Sequence, residues 1–265
     1  MQATAPIVRR ILIAWGVLWV LSFLTALGSG PGLSGWLELD PTALLRGDLT
    51  GLAGVLGYAL VHDPYGILHV AVNAWMFHLF APEVEALYRR RFVRMLVVSA
   101  LVGAVVTLLL AATPMPAFDA AVVGGSGLVA TMLAVNAAIY PDRRLNLIIV
   151  QPRLIVFFAV LVGLDLLGFI AQCAGRGGGV ATQVHLAGAA VGWFWANGFA
   201  RLGWPDPLSR WRASRQEAAR RREATRAADD EAELDRILAK ISREGLPSLT
   251  AKERDFLEKR SRDRD

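Results

Sequence analysis

Two residues far apart in the sequence have the chemistry of a nucleophile and its general base. Ser126 lies in the run Gly124–Gly127, and His185 is one of four histidines in the chain. A serine hydroxyl becomes an effective nucleophile when an imidazole about 2.6–3.2 Å away accepts its proton. The pair therefore predicts acyl transfer through a covalent intermediate, provided that the fold brings the two side chains together.

The elements that must position these residues are membrane-spanning helices. Of the 265 residues, 54% are hydrophobic, which exceeds the usual share in a soluble domain. A spanning helix needs about 20 mostly apolar residues to cross roughly 30 Å of hydrocarbon. We predict an all-α polytopic membrane protein and place the short apolar stretch 51–61 in a long first loop. The six predicted spans are residues 11–29, 66–82, 93–113, 124–140, 152–172 and 183–201.

The arginines before residue 205 follow the positive-inside pattern of membrane proteins. Ten of them lie at one set of loops and termini, whereas only Arg46 and Arg176 fall in the alternate loops. This pattern predicts that both termini are cytoplasmic. The stretch 11–29 could instead be a cleaved signal peptide, but its removal would leave five spans and break the alternation. Because topology explains the basic residues, we expect no nucleic-acid binding.

The charged residues divide the chain into an apolar body, residues 1–204, and a tail, residues 205–265. The tail contains 16 Lys and Arg and 14 Asp and Glu, against 12 and 9 in the body. Two prolines in Trp204–Pro207 cannot continue a helix between them. The body is predicted to be the six-helix membrane domain and the tail a soluble helical extension.

Two sequence signals in the tail predict a helical hairpin. Leu234, Ile237, Leu238 and Ile241 recur at helical spacing and form one apolar stripe. The segment Thr250–Glu253 has the form of a capping box that begins a second helix. The tail could dock an unknown cytoplasmic partner.

Polar side chains on three of the spans converge at a similar depth. His69 and Asn73 are four residues apart and share one face of the second span. Spans two, four and six enter from the same side, which puts Ser126 and His185 about one turn into the membrane and Asn73 about two. Polar groups within spans usually mark a site or a water-filled cavity. We therefore predict a site in the outer third of the bilayer.

Glycines allow the fourth and sixth spans to approach closely. Gly124 and Gly127 bracket Ser126, and Gly188 and Gly192 form a small-residue face on the sixth span. With no side chains between them, the two backbones can come close enough for a hydrogen bond between the two spans. These glycines are expected to be helix-packing residues.

Three motifs, in order and on the expected spans, resemble the rhomboid family of intramembrane serine proteases. The family's H-x-x-x-N appears as His69–Asn73, its G-x-S-G as Gly124–Gly127, and its H-x-x-G-x-x-x-G as His185–Gly192. The likeness covers about residues 8–201 and implies a six-helix rhomboid-like bundle in the bacterial inner membrane. The tail also resembles a helical segment that follows many bacterial rhomboids.

The segment after the asparagine carries the same resemblance and some departures from it. Phe80-Ala81-Pro82 resembles the family's Phe-Gly-Pro, and Glu85 matches its glutamate. The Trp-Arg pair of the family's first loop is missing, and Ala81 and Arg89 stand where glycines are usual. These departures concern loop geometry and substrate access.

The resemblance implies a serine endopeptidase with Ser126 as nucleophile and His185 as general base, without a required third carboxylate. It implies that the backbone N–H of Ser126 and the side chains of His69 and Asn73 hold the oxyanion. It also implies transmembrane protein substrates cut near the outer membrane face, with no cofactor. Water must reach the site, and composition alone suggests that the glycine-rich stretch Arg176–Gly179 forms its lid.

Other classes of function fit the sequence less well. A catalytically inactive rhomboid-like protein that binds transmembrane clients would normally lack the serine or the histidine, and both are present. A small transporter would show repeated halves and polar groups near the bilayer centre, and neither is visible.

Three further polar residues need an assignment. Asp165 on the fifth span could orient His185, although an interhelical or cavity-lining hydrogen bond is the simpler expectation. His62 is expected to have a structural role in the first loop. His78 lies about 13 Å along the helix axis from His69, and no H-E-x-x-H motif is present. We therefore expect no metal site.

Overall fold

The computed structural model confirms the all-α class. Apart from isolated backbone bridges that pair Leu39 with Val122 and Arg144 with Arg153, the regular elements of the described residues are helices. Internal contacts divide the chain into two units, Met1–Pro205 and Asp206–Asp265. The predicted boundary at residues 204–207 lies outside the described residues. The structure describes residues 5–28, 30–146, 150–176, 179–197 and 209–262.

Each of the six predicted spans corresponds to one long helix of the first unit. Three short helices, α2 to α4, and a 3-10 turn fill the loop between the first two long helices, where the sequence predicted a non-spanning segment. Residues 198–201 of the sixth predicted span lie outside the described residues. The helices are α1 Pro6–Ala26, α2 Gly32–Leu37, α3 Pro41–Leu45, α4 Gly54–Gly57, α5 Ile67–Tyr88, α6 Phe92–Ala111, α7 Ser126–Ile139, α8 Leu154–Cys173 and α9 Thr182–Asn197.

The second helix is longer than the sequence predicted. The predicted apolar span ends at Pro82, whereas α5 continues to Tyr88, although proline removes a backbone donor from a helix. Phe80, Ala81 and Val84 are fully or almost fully buried around the proline. The packing of these side chains therefore outweighs the local cost of the proline.

The long apolar helices make this chain an integral membrane protein. Three stretches of the described residues are long and apolar enough to cross a membrane: Pro6–Ala26, Ile67–Ala111 and Leu154–Cys173. The second of these contains both α5 and α6. Helix α7 is shorter and apolar, and ten of its 14 residues are buried. A helix so enclosed by protein needs less length than one that faces lipid.

Helix α7 lies at the centre of the unit, packed mainly against α9 and α5. The Oγ1 of Thr131 lies 2.9 Å from the carbonyl oxygens of both Gly127 and Gly188 and 2.6 Å from Oγ of Ser99. On another face, Nδ2 of Asn136 donates to the carbonyl of Phe80 at 2.8 Å. These buried hydrogen bonds tie α7 to α9, α6 and α5.

A buried carboxylate fixes the start of the first helix. Glu85 of α5 accepts hydrogen bonds from the backbone N–H groups of Ile7 at 3.0 Å and Val8 at 2.8 Å. The first N–H groups of a helix have no partner within the helix. Glu85 therefore acts as a cap supplied by a different helix.

The second unit contains a helical hairpin of α10, Ser209–Glu244, and α11, Ala251–Arg262. The predicted capping box is present, because the Glu253 carboxylate accepts from the Thr250 N–H at 2.8 Å and Oγ1 of Thr250 accepts from the Glu253 N–H at 3.3 Å. Ile237 is fully buried, but Leu238 is 50% exposed. The predicted stripe was therefore too wide, since a two-helix hairpin covers only a narrow face.

Candidate active site

The loop before Ser126 is held by two hydrogen bonds from its glycines. Gly124 donates its N–H to the carbonyl of Tyr58 at 2.8 Å, and Gly125 donates its N–H to Nε2 of His62 at 3.3 Å. Gly124 has a φ of +122°, a conformation that residues with a side chain rarely adopt. The chain can therefore turn sharply and present Ser126 as the first residue of α7.

Ser126 and His185 are in direct contact. The Oγ of Ser126 lies 2.8 Å from Nε2 of His185, although 59 residues separate them. Ser126 begins α7, and His185 lies in the first turn of α9. Both side chains are half-buried. The geometry is that required for proton transfer from the hydroxyl to the ring.

The predicted glycine face explains this contact. A methyl group built on Gly188 would overlap the carbonyl oxygen of Gly127, and one built on Gly192 would overlap the carbonyl oxygen of Thr131. One built on Gly127 would lie 2.7 Å from Cγ1 of Val184. The backbones of α7 and α9 are therefore closer than any side chain would permit.

His69 and Asn73 of α5 lie beside the turn that leads into Ser126. A methyl group built on Gly124 would lie 2.8 Å from Nε2 of His69 and 3.7 Å from Nδ2 of Asn73. Asn73 is 5% exposed, and its buried Nδ2 has no hydrogen-bond partner among the described residues. An unpaired buried donor is costly, and this one lies beside the glycine turn that leads into Ser126.

The second ring nitrogen of His185 also has a partner. Its Nδ1 lies 2.8 Å from Oδ1 of Asp165 in α8. The sequence predicts an interhelical or cavity-lining hydrogen bond for Asp165 in preference to orientation of His185. The contact is interhelical, and its partner is the candidate general base itself.

The loop residue His62 has the structural environment that is predicted from the sequence. It is fully buried, and its ring centroid lies 5.1 Å from that of Trp15 and 5.2 Å from that of His69. Burial lowers the pKa of His62 to about 3. The ring is therefore neutral, which allows Nε2 to accept the Gly125 N–H.

A cavity of about 400 Å³ adjoins the site. His69 lines it together with two carboxylates, Glu38 and Asp63, and with Gln183. Burial raises the pKa of Glu38 above its usual value. Of the predicted lid, Gly179 lines the cavity, whereas residues 177 and 178 lie outside the described residues.

Among the described residues, no group of three or more His, Cys, Asp or Glu side chains could hold a metal ion. His78 belongs to α5 but has no place in the cluster around Ser126, since it lies on a distant turn of that helix. The chemical groups that meet at the site are a hydroxyl, two imidazoles, an amide and a carboxylate.

Comparison with known protein families agrees with the division into two units. A family model described as the Rhomboid domain matches residues 49–202, which is more than half of the chain. A model described as a family of unknown function (DUF6576) matches residues 224–263 in the second unit. No curated protein matches the sequence significantly.

Proposed function

This chain belongs to the rhomboid family of membrane proteins, and we propose that it is an intramembrane serine endopeptidase whose nucleophile is Ser126 and whose general base is His185. The observation that carries the proposal is the distance of 2.8 Å between Oγ of Ser126 and Nε2 of His185. The two residues stand on different helices, and close helix packing at glycines is needed to bring them together.

The proposed reaction begins with proton transfer from Ser126 to His185. As Oγ forms a bond with the carbonyl carbon of the scissile peptide, its proton moves to Nε2 of the ring. The carbon–nitrogen bond then breaks, and the same proton passes from Nε2 to the leaving amine. A water molecule next adds to the acyl-enzyme and gives its proton to Nε2. Collapse of this second intermediate releases the acid and returns the proton to Oγ.

The oxyanion of each tetrahedral intermediate needs hydrogen-bond donors. We assign this role to the backbone N–H of Ser126 and to the side chains of His69 and Asn73. The unpaired Nδ2 of Asn73 supports the assignment, since the donor is available without breaking an existing hydrogen bond. Donors fixed in advance stabilise developing charge at little reorganisation cost.

The proposed substrates are proteins with a transmembrane segment. A peptide bond in a helix is shielded by its own backbone hydrogen bonds, so a substrate must unwind locally to reach Ser126. Small or helix-weakening residues near the cut site would favour this step. With cytoplasmic termini, as the arginine pattern suggests, the cut would fall near the outer face of the bacterial inner membrane.

The proposal is tested by labelling the purified protein with a serine-reactive fluorophosphonate. We expect the wild type to be labelled and Ser126→Ala and His185→Ala to remain unlabelled. Ser22→Ala is the matched control, because Ser22 is a buried serine of α1 with no place at the site. Labelling that persists in Ser126→Ala would remove the assignment. A folded wild type that neither labels nor releases ectodomains in membrane proteomics would instead support an inactive client-binding protein.

A further inference from the structure

His185 is held between two side chains, one on each ring nitrogen. Nε2 lies 2.8 Å from Oγ of Ser126, and Nδ1 lies 2.8 Å from Oδ1 of Asp165. Both distances fall within the range of good hydrogen bonds. The three residues come from three helices, α7, α9 and α8, so the alignment is a product of the fold and not of local sequence.

We propose that Asp165 is a positioning residue that completes a serine–histidine–aspartate arrangement in this protein. The inference rests on the function proposed above and adds a third member to it. An ionised carboxylate can only accept hydrogen bonds. In the proposed arrangement Asp165 is the ionised acceptor, Nδ1 of His185 carries the ring proton, and Nε2 is left with a lone pair facing Ser126.

Asp165 contributes a second time when the ring becomes charged. Once Nε2 has taken the proton of Ser126, the imidazolium lies beside a carboxylate in a partly buried site, with side-chain exposures of 20% and 23% for His185 and Asp165. Among the ion pairs of the described residues, His185 is the one partner of Asp165. The negative charge of Asp165 is therefore available to stabilise the imidazolium.

The surroundings of Asp165 argue against an incidental contact. Its neighbours in α8 are largely exposed apolar side chains, including Leu164 at 59% and Leu167 at 65%, as expected of a lipid-facing helix. A carboxylate in such a helix is costly and usually faces the protein interior for a reason. Asp165 turns inward at the level of the candidate general base.

Helix α8 also packs on α9 at positions beyond this pair. A methyl group on Gly168, one turn after Asp165, would lie 3.0 Å from Cγ2 of Thr182. One turn further along, Oγ1 of Thr182 donates to Oε1 of Gln172 at 2.9 Å. These contacts join the same two helices without involving Asp165 or the ring of His185, so they provide a control for general weakening of the helix pair.

The test compares three variants of the full-length protein in lipid nanodiscs. Asp165→Asn keeps the side-chain size and removes the charge, and Asp165→Glu restores a carboxylate. Thr182→Val is the matched control, since it removes a hydrogen bond between the same two helices. The first readout is the rate of fluorophosphonate labelling at saturating and subsaturating probe, and the second is the thermal unfolding midpoint.

We expect Asp165→Asn to slow labelling about 10-fold to 100-fold, as part of the general-base contribution, and Asp165→Glu to recover part of the loss. Thr182→Val should lower the unfolding midpoint and leave the labelling rate near that of the wild type. Asp165→Asn labelling at the wild-type rate, with Ser126→Ala still unlabelled, would overturn the role of Asp165 and leave the proposed function standing.

A spectroscopic readout tests the inference without any variant at Asp165. In ¹⁵N-histidine NMR of the wild type, we expect His185 to carry its proton on Nδ1, with the signal identified by its loss in His185→Ala. A proton on Nε2 would overturn the inference even if Asp165→Asn failed to fold.

Discussion

Gly188 of α9 lies directly against the carbonyl oxygen of Gly127, the residue that follows Ser126. A methyl group at Gly188 would overlap this oxygen, so the two backbones touch with no side chain between them. Thr131 lies at the same level, with its Oγ1 2.9 Å from both carbonyls. The distance between the candidate nucleophile and the candidate base is therefore set by backbone contact.

The first prediction concerns this contact. Gly188→Val should force α7 and α9 apart, at a cost of about 1–3 kcal/mol for overpacking, and should abolish fluorophosphonate labelling. Gly163→Ala in α8 is the control, because a methyl group there meets no atom within 4 Å. Thermal unfolding and labelling of both variants check the prediction. A Gly188→Val protein labelled as fast as the control would contradict it.

A second prediction separates two asparagines that are both buried. Asn73→Ala should lower turnover by roughly 10²–10³, the usual cost of losing an oxyanion donor, with little loss of stability. Asn136→Ala should lower stability and leave turnover near that of the wild type, since Nδ2 of Asn136 donates to the Phe80 and Met132 carbonyls. The measurement is cleavage of a transmembrane substrate alongside the unfolding midpoint. Equal turnover in the two variants would remove the oxyanion role of Asn73.

The third prediction concerns the carboxylate that caps α1. Glu85→Ala should destabilise the protein by about 2–3 kcal/mol, because hydrogen bonds to a charged group are strong and two N–H groups, one buried and one part-buried, lose their partner. Glu83→Ala, on the same helix, removes an exposed ion pair with Arg143 and should cost about 0–1 kcal/mol. Unfolding of both variants in the same detergent checks the difference. Similar losses would mean that the cap contributes little.

A fourth prediction concerns the pH dependence of the tail. Hydrogen bonds from the Thr250 backbone, Lys240 and Arg236 lower the pKa of Glu253 from 4.5 to about 2. Because the pKa of Glu253 is lower in the folded hairpin, its ionised carboxylate stabilises the hairpin at any pH above the ordinary pKa. This contribution is lost as the pH falls from about 4.5 towards 2. Hydrogen exchange of α11 in the intact protein, corrected for intrinsic rates, should therefore accelerate over that range.

The matched variants for the tail are both glutamate-to-glutamine changes. Glu253→Gln should exchange faster at neutral pH and show little further change on acidification. Glu217→Gln breaks an exposed pair with Arg221 in the same unit and should behave like the wild type. Identical pH profiles for all three proteins would show that Glu253 does not link protonation to the hairpin.

Sequence patterns predicted those parts of the fold that depend on local spacing. Apolar runs located the six long helices, and the Thr250–Glu253 spacing located the capping box with its reciprocal hydrogen bonds. The family assignment followed from three motifs in order and is confirmed by the match over residues 49–202. The roles of Ser126, His185, His69 and Asn73 stay predictions.

Contacts made across the fold could not be read from spacing. Glu85 caps a helix 77 and 78 residues away in sequence, and no local pattern marks such a partner. Asp165 is a lone carboxylate on a span. The sequence alone is equally consistent with a carboxylate that lines a cavity and with one that bonds to a histidine. The continuation of α5 beyond Pro82 depends on side chains from other parts of the fold that bury the helix, and local sequence around the proline does not show this packing.

Helix α8 has two buried residues in its length of 20, Leu154 and Gln172. This helix is therefore packed against the rest of the protein over a small part of its surface, and most of its surface is available to lipid acyl chains. Since α8 also carries Asp165, the partner of His185, the position of this carboxylate depends on the lipid around the helix as well as on protein packing. Longer or more saturated lipids that tilt α8 would therefore change the position of Asp165 relative to His185, without any change in the protein sequence.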